Sequence, residues 1–157
     1  MMLVFGYGTF ITKKIYKDKN NVQPAYLPRY FRVYRPRDWF PYVIKSSDCN
    51  DSVDFKPGFW GLVFQVNKSE LTELDLYEGE GSLYKRISEQ FLLPDGSKID
   101  AFLYYPMKNT IRRYNLMDYI RLGDLWRKKI IEEHPDIVKE FPQLALKKFH
   151  SKTERNK

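Results

Sequence analysis

The hydrophobic pattern of the chain changes near residue 110, and this change constrains the fold more than any other feature. Before that point, apolar residues occur in short runs or alternate with polar ones, which is typical of β-strands. The segments that predict strands are residues 2–5, 26–36, 42–44, 59–67, 82–93 and 99–107. One short helix interrupts them, capped by Asn67 or Ser69 at its start and ended by Gly79 and Gly81.

After residue 110 the apolar residues follow a helical period. They predict one helix that runs to about Glu133, and its buried face comprises Ile111, Tyr114, Met117, Ile120, Trp126 and Ile130. A second short helix should end before Pro142. The sequence therefore predicts an α+β fold with a main domain at residues 1–109. A helical extension at residues 110–149 should pack on the same domain, and residues 150–157 should form a flexible tail.

The composition is that of one globular domain with a substantial core. The chain has 157 residues, of which 43% are apolar and 17% aromatic. Its single cysteine, Cys49, excludes an intrachain disulfide framework and suits a reducing compartment. We find no basic and apolar leader before the first strand and no apolar run of membrane-spanning length. A cytoplasmic protein is the prediction.

The net charge of +7 raises the possibility of nucleic-acid binding. Most of the excess lies after residue 109, where twelve Lys or Arg residues stand against seven Asp or Glu residues. A solvated helical face together with a frayed tail accounts for this distribution. We therefore interpret the basic extension as a helical surface rather than as a nucleic-acid site.

A glycine-containing turn follows the first predicted strand. The segment FGYGTF places Gly6 and Gly8 around Tyr7, directly where the apolar run ends. Glycines here either serve the turn alone or allow a ligand to approach the backbone N–H groups. The segment lacks the lysine of a phosphate-binding P-loop and the third glycine of a dinucleotide-binding fingerprint.

The sequence offers few of the usual catalytic sets. Both histidines, His134 and His150, lie in the helical part of the chain, far from the glycine turn. A Ser-His-Asp or Cys-His arrangement would need one of them to fold back over the core. Clustered cysteines and histidines, which zinc sites require, are absent from the sequence, so we predict no metal site.

Acidic residues are the remaining candidates. The segment LDLYEGEG places Asp75 and Glu78 on one face at the end of the short helix, with Glu80 two residues further on. The negative end of the helix dipole and burial by aromatic residues would raise the pKa of a glutamate there towards that of a working general base. The alternative is that this segment is a surface turn.

A general base and a backbone anion site, without a nucleophile or a metal, suit a narrow set of reactions. The best candidate is an intramolecular acyl transfer in which the substrate supplies its own nucleophile. The protein would take a proton from an amine, stabilise the oxyanion and return the proton to the leaving amine. Such a reaction needs no cofactor.

Three segments in this order resemble the gamma-glutamylcyclotransferase-like superfamily. FGYGTF resembles that family's Tyr-Gly-Ser/Thr-Leu loop. GFWGLVFQVNKSELTELDLYEGEGSLYKR resembles its glycine-containing strand, its Leu-Asp-x-x-Glu-Gly element and its Tyr-x-Arg strand. AFLYYP is similar to the last barrel strand. The resemblance spans residues 3–106, about two-thirds of the chain.

The resemblance implies a small mixed fold with a partly closed β-barrel and the cyclisation of a gamma- or epsilon-linked glutamyl group to 5-oxoproline, with release of an amine or amino acid. It implies that Glu78 is the general acid/base and that Asp75 is a structural partner in the helix. The substrate-binding residues that it implies are Tyr7, Gly8, Thr9, Phe10, Tyr84, Arg86 and Tyr104.

The sequence also departs from the family pattern. Phe10 stands where leucine or asparagine is more common, which could narrow the cavity, and Glu80 adds a second carboxylate that we interpret as facing solvent. Two other functions stay open: a binding module for small carboxylates on the same scaffold, and a partner-binding or nucleic-acid-binding protein that uses the basic extension. Trp126 fits either packing of the extension on the barrel or a homodimer through the C-terminal helices.

Overall fold

Five strands of the chain form a closed barrel. The computed structural model describes residues 1–49 and 55–149. The barrel strands are β1 (Met2–Gly6), β2 (Gln23–Leu27), β5 (Phe59–Val66), β6 (Tyr84–Leu92) and β7 (Lys98–Pro106), in the order β1-β5-β2-β6-β7. A parallel contact that pairs Val4 of β1 with Phe102 of β7 closes it. The predicted α+β fold with a β-barrel is confirmed, and the barrel is closed because the strands β1 and β7 pair directly.

The strand β5, which the sequence predicted as a strand, lies between two other strands of the barrel. It pairs antiparallel with β1 on one side and with β2 on the other. All but one of its eight residues are buried. At Gly61 the neighbouring strand comes so close that a Cβ atom would lie 2.4 Å from the carbonyl oxygen of Gly6 and 2.5 Å from the Phe5 ring. Glycine therefore permits the tight curvature of this part of the barrel.

The predicted segment 26–36 is two strands rather than one. After β2 the chain turns at Arg29, whose φ is 66°. The strand β3 (Tyr30–Val33) then leaves the barrel and pairs with β4 (Tyr42–Lys45) in a separate two-stranded sheet. Apolar alternation alone cannot reveal this change of sheet, because both strands bury their side chains.

The short helix α2 (Lys68–Glu78) lies where the sequence places it. Asn67 is its N-cap and forms a reciprocal capping box with Glu70. Gly79 ends the helix in the left-handed conformation, with φ of 64°. Both ends are therefore encoded by local residues. A four-residue helix, α1 (Thr9–Thr12), directly follows the glycine turn.

The long helix predicted from residue 111 to about residue 133 is broken into three parts. These are α3 (Lys108–Arg113), a 3₁₀ segment (Leu116–Leu122) and α4 (Leu125–Glu133). The breaks coincide with positive φ values, 52° at Asn115 and 77° at Gly123. A residue in the left-handed conformation cannot continue an α-helix. The apolar residues therefore keep their helical spacing along the sequence, although the helix itself is interrupted.

The helical extension packs on the rest of the protein. α5 (Pro135–Glu140) and a 3₁₀ turn (Pro142–Ala145) follow α4. Trp126 is buried, and its ring lies 4.1 Å from the Arg32 guanidinium carbon. Of the two roles considered for Trp126, packing of the extension and a homodimer contact, this contact corresponds to packing within the chain. Residues 150–157, predicted to be a flexible tail, lie outside the described residues. In the described part of the chain, no helix has the length and apolar character needed to cross a membrane.

We expect Gly61→Ala to destabilise the protein by about 1–3 kcal/mol, because the added methyl group would overlap a backbone oxygen that cannot move without opening the β1–β5 ladder. Urea unfolding would measure the loss. The matched control is Ser88→Ala in β6, where the side chain is exposed and the change should stay within about 0.5 kcal/mol. Equal stability of the Gly61→Ala variant and the wild type would contradict the close approach.

Candidate functional site

The glycine turn and the end of α2 face one cavity of about 210 Å³. Its walls come from three segments: the turn after β1, the chain before β4, and the α2–β6 connection. The lining residues are Tyr7, Gly8, Thr9, Phe10, Phe40, Pro41, Tyr77, Glu78, Leu83 and Tyr84. Six of the predicted site residues are therefore brought together here, including Glu78 and the four residues of the loop.

Glu78 is the last residue of α2 and is half-buried in this cavity. Burial raises the pKa of its carboxyl group from an ordinary value of 4.5 to about 7. The cause is that the cavity wall replaces the water that would stabilise the carboxylate. A group with this pKa exchanges protons near neutral pH, which general acid/base catalysis requires.

Two tyrosines face Glu78 in the cavity wall. The pKa values of the Tyr7 and Tyr84 hydroxyls are raised, first by burial and then by the nearby charges, Glu78 among them. Both phenols therefore stay protonated at neutral pH. The Tyr7 hydroxyl donates a hydrogen bond of 2.9 Å to the carbonyl oxygen of Tyr104, which fixes the start of the loop against β7.

Gly8 lets the loop pass close to the chain before β4. A Cβ atom at Gly8 would lie 2.5 Å from Cδ of Pro41, so no larger residue fits without displacing that proline. The carbonyl oxygen of Gly8 accepts hydrogen bonds from the amides of Ile11 and Thr12. Among the described residues, none accepts a hydrogen bond from the amides of Gly8, Thr9 and Phe10. These three N–H groups are thus available to a ligand.

Two predicted site residues, Arg86 and Tyr104, do not line the cavity. Both bind Asp75 instead: the Tyr104 hydroxyl donates a hydrogen bond of 2.6 Å, and the Arg86 guanidinium forms an ion pair. Asp75 lies one turn before Glu78 and contacts two strands of the barrel, β6 and β7, through these side chains. Both residues therefore contact α2 rather than the cavity, and their predicted part in substrate binding stays a prediction. Asp75 was expected to be structural, and these contacts are structural.

Glu80 does not reach the cavity. Its side chain is exposed, and its carboxylate accepts a hydrogen bond of 3.3 Å from the backbone amide of Arg86. Within residues 1–49 and 55–149, no group of three or more His, Cys, Asp or Glu side chains is arranged to hold a metal ion. The titratable carboxyl group of the cavity is that of Glu78.

Sequence reasoning missed four lining residues: Phe40, Pro41, Tyr77 and Leu83. Tyr77 and Leu83 flank the Glu-Gly element, so their proximity could have been inferred from the sequence. Phe40 and Pro41 come from the chain between β3 and β4, and no local signal connects that segment with the glycine turn. Only the close contact of Gly8 with Pro41 reveals the connection.

The pKa of Glu78 makes the free energy of unfolding depend on pH. Between pH 4.5 and 7 the folded protein retains a proton that the unfolded chain has lost, so stability should fall as the pH rises through this window. Glu78→Gln removes the cost of the buried charge. We expect the free energy of unfolding of this variant to exceed that of the wild type by up to roughly 3 kcal/mol at pH 8 and to equal it at pH 4.

Urea unfolding at both pH values measures this difference. Glu80→Gln is the matched control, because the same charge is removed from an exposed side chain and the offset from the wild type should not change with pH. An equal offset at pH 4 and pH 8 for Glu78→Gln would contradict the raised pKa.

Comparison with solved structures finds the same fold. A protein from Arabidopsis thaliana is 22% identical, with 88% of this chain and 91% of that chain covered and a TM-score of 0.53. An uncharacterised protein from Homo sapiens is 18% identical, with coverage of 84% and 86% and a TM-score of 0.52. An AIG2-like protein from Mus musculus is 18% identical, with coverage of 67% and 76% and a TM-score of 0.50. At these identities the similarity establishes the fold alone.

A family model adds the assignment that the structures cannot give. No curated protein matches the sequence at the required significance. The model described as gamma-glutamyl cyclotransferase, AIG2-like, matches residues 4–128, which include the glycine turn, α2, the end of β1 and the other four barrel strands. The chain therefore belongs to the gamma-glutamyl cyclotransferase, AIG2-like family.

Proposed function

We propose that the protein is a cyclotransferase that converts a glutamyl-linked amide to 5-oxoproline and releases an amine or amino acid. The observation that carries this proposal is that the Glu78 carboxyl group, with a pKa of about 7, and the free amides of the loop line one cavity. None of the described residues that line the cavity is a serine, cysteine, lysine or histidine, and a base in such a cavity suits a substrate that contains its own nucleophile.

The proposed reaction begins when the α-amino nitrogen of the glutamyl group attacks its own side-chain carbonyl carbon. The new C–N bond closes a five-membered ring, and the Glu78 carboxylate takes one proton from the nitrogen. The carbonyl electron pair moves to oxygen, and the loop amides stabilise this oxyanion. The pair then returns, the bond to the leaving nitrogen breaks, and Glu78 donates its proton to that nitrogen. The products are 5-oxoproline and the free amine, and no water is consumed.

The size and walls of the cavity support this assignment. A volume of about 210 Å³ accommodates a compact group such as a glutamyl moiety. The protonated hydroxyl of Tyr84 can donate a hydrogen bond to the substrate carboxylate or carbonyl, whereas the Tyr7 hydroxyl already donates to the carbonyl oxygen of Tyr104. Ring closure within one molecule has an effective molarity of about 10⁵ M or more, so a positioned base and an oxyanion site suffice. The proposed reaction uses no cofactor.

The other predictions from the sequence stay predictions. They are a cytoplasmic location, a homodimer through the C-terminal helices, and a main domain at residues 1–109 with an extension at residues 110–149. Neither the binding module without turnover nor nucleic-acid binding is favoured by a feature of the cavity. An activity assay separates a binding module without turnover from an enzyme.

We expect Glu78→Gln to lower the turnover of any active substrate by at least about 10²-fold, because the amide can neither take nor return the proton. A panel of gamma-glutamyl amino acids, gamma-glutamyl amides and epsilon-(gamma-glutamyl)-lysine, with 5-oxoproline as the readout, tests this. In the wild type, kcat/KM should rise with pH to a plateau, with a midpoint near 7 for the Glu78 carboxyl group.

Glu80→Gln is the matched control for this assay and should keep the wild-type rate, since its exposed side chain lies outside the cavity. Retained turnover in the Glu78→Gln variant would remove Glu78 from the reaction. A wild-type protein that binds 5-oxoproline but turns over no member of the panel would favour the binding module.

The rim of the cavity carries a cation. The Lys13 ammonium group donates a hydrogen bond of 3.1 Å to the Tyr77 hydroxyl and lies 5.8 Å from the centre of the Trp39 ring. Tyr77 lines the cavity, while Trp39 is 72% exposed. The leaving group of the substrate must pass this rim once the glutamyl part occupies the cavity. A carboxylate on a leaving amino acid would therefore meet Lys13.

We expect Lys13→Glu to lower kcat/KM for gamma-glutamyl amino acids about fivefold relative to gamma-glutamyl methylamide, whose leaving group has no carboxylate. The ratio of the two kcat/KM values is the measurement, since it cancels any general effect on the cavity. Lys17→Glu makes the same charge change further along this segment and should leave the ratio unchanged. An unaltered ratio in the Lys13→Glu variant would show that the rim cation does not select the leaving group.

A further inference from the structure

Arg32 is a buried cation in β3, and no part of the proposed reaction uses it directly. Its side chain is only 1% exposed, and it pairs with Asp124 through two hydrogen bonds of 2.9 and 2.7 Å. Its guanidinium carbon lies 4.5 Å from the Phe59 ring centre and 4.1 Å from that of Trp126. A charge buried between two rings is costly unless all its donors are used.

The third guanidinium nitrogen of Arg32, Nη1, binds the start of the glycine turn. Its Nη1 atom donates hydrogen bonds of 3.2 Å to the carbonyl oxygen of Tyr7 and 3.1 Å to that of Trp60. Trp60 belongs to the rigid strand β5, and Tyr7 is the residue at which the loop begins. The same nitrogen thus ties the loop to the barrel wall.

The peptide that follows Tyr7 links this contact to the cavity. The carbonyl group of Tyr7 and the N–H group of Gly8 belong to one planar trans peptide, so they point in opposite directions. A guanidinium that holds the carbonyl oxygen therefore also fixes the direction of the Gly8 N–H group. Gly8 lines the cavity, Arg32 does not, and no described residue accepts a hydrogen bond from that amide.

We propose that Arg32 is a positioning residue that aims the Gly8 N–H group at the developing oxyanion of the substrate. The positive charge on the carbonyl side also polarises the peptide and strengthens the amide as a donor. Asp124 orients the guanidinium and is the N-cap of α4, so the helical extension contributes to the site through this pair. This inference rests on the proposed cyclotransferase function.

The test compares variants that keep or remove the contact with the Tyr7 carbonyl. The double variant Arg32→Met with Asp124→Asn removes both charges together and keeps an N-cap residue on α4, which limits the loss of stability. The single variant Asp124→Asn keeps Arg32 and its bonds to the carbonyl oxygens. Arg32→Lys keeps the charge but loses the planar fork, and it serves if the double variant does not fold.

We expect kcat to fall about tenfold to hundredfold in the double variant and in Arg32→Lys, with KM nearly unchanged, because the amide acts mainly in the transition state. Asp124→Asn should lower kcat less than about threefold, because the introduced amide oxygen still accepts a hydrogen bond from the guanidinium and so preserves its orientation. The pH midpoint near 7 should persist in all of them, since Arg32 does not contact Glu78. If KM and the pH midpoint shift together with kcat, or if kcat falls equally in all variants, Arg32 and Asp124 form a merely structural pair. Either result would overturn the proposal.

Nuclear magnetic resonance gives a readout that needs no substrate. The ¹³C shift of the Tyr7 carbonyl and the ¹⁵N shift of the Gly8 amide should move in the double variant. They should stay unchanged in Lys14→Gln with Asp136→Asn, which removes another ion pair between the first part of the chain and the extension. If the wild type forms no 5-oxoproline, the proposed function fails, while these shifts still decide whether Arg32 orients the peptide. Unchanged shifts in the double variant overturn the orientation.

Discussion

The geometry of the candidate site depends on the carboxylate of Asp75, which lies outside the cavity. It accepts a hydrogen bond from the Tyr104 hydroxyl of β7 and pairs with Arg86 of β6, so the last turn of α2 is fixed to two adjacent strands of the barrel. The carbonyl oxygen of Tyr104 in turn accepts a hydrogen bond from the Tyr7 hydroxyl. One residue of β7 thus holds both the loop and the helix that carries Glu78.

The contacts of Asp75 explain how the Glu78 carboxyl group is held in the cavity, although its charged form would be more stable in water. Burial against a wall that includes several aromatic side chains disfavours the charged form of Glu78 and raises its pKa. Unwinding the last turn of α2 would relieve that cost by exposing the side chain. The ion pair and the hydrogen bond at Asp75 oppose such unwinding three residues earlier, and Gly79 closes the helix immediately afterwards.

The features that the sequence predicted are those that local residues determine. The bounds of α2 follow from the Asn67 and Glu70 capping box and from Gly79, and β5 follows from its unbroken apolar run. The errors lie where tertiary contacts select among locally similar options. A left-handed residue such as Asn115 breaks a helix without interrupting its apolar period, and β3 changes sheets without changing its alternation.

The same distinction separates the site residues. Glu78 and the loop were predictable as candidate residues because each lies in a short motif. Strand alternation is less informative, since it shows which side chains share a face of the strand but not which groups they contact there. The hydroxyls of Tyr104 and its neighbour Tyr105 go to different carboxylates, those of Asp75 and Asp48. Arg32 lies in an alternating strand and resembles a solvent-facing residue, yet its partner comes 92 residues later. Separation along the chain hides such pairs.

The cavity itself combines two parts of the fold with different roles. The barrel and α2 supply Glu78 and the loop, while the chain before β4, in the separate two-stranded sheet, supplies Phe40 and Pro41. The two parts are joined by the contact of Gly8 with Pro41 and by the stacking of the Tyr42 ring on that of Tyr84, 6.1 Å apart. Changes in the β3–β4 sheet can therefore reshape the cavity wall formed by Phe40 and Pro41, while the anchor at Asp75 keeps Glu78 in place.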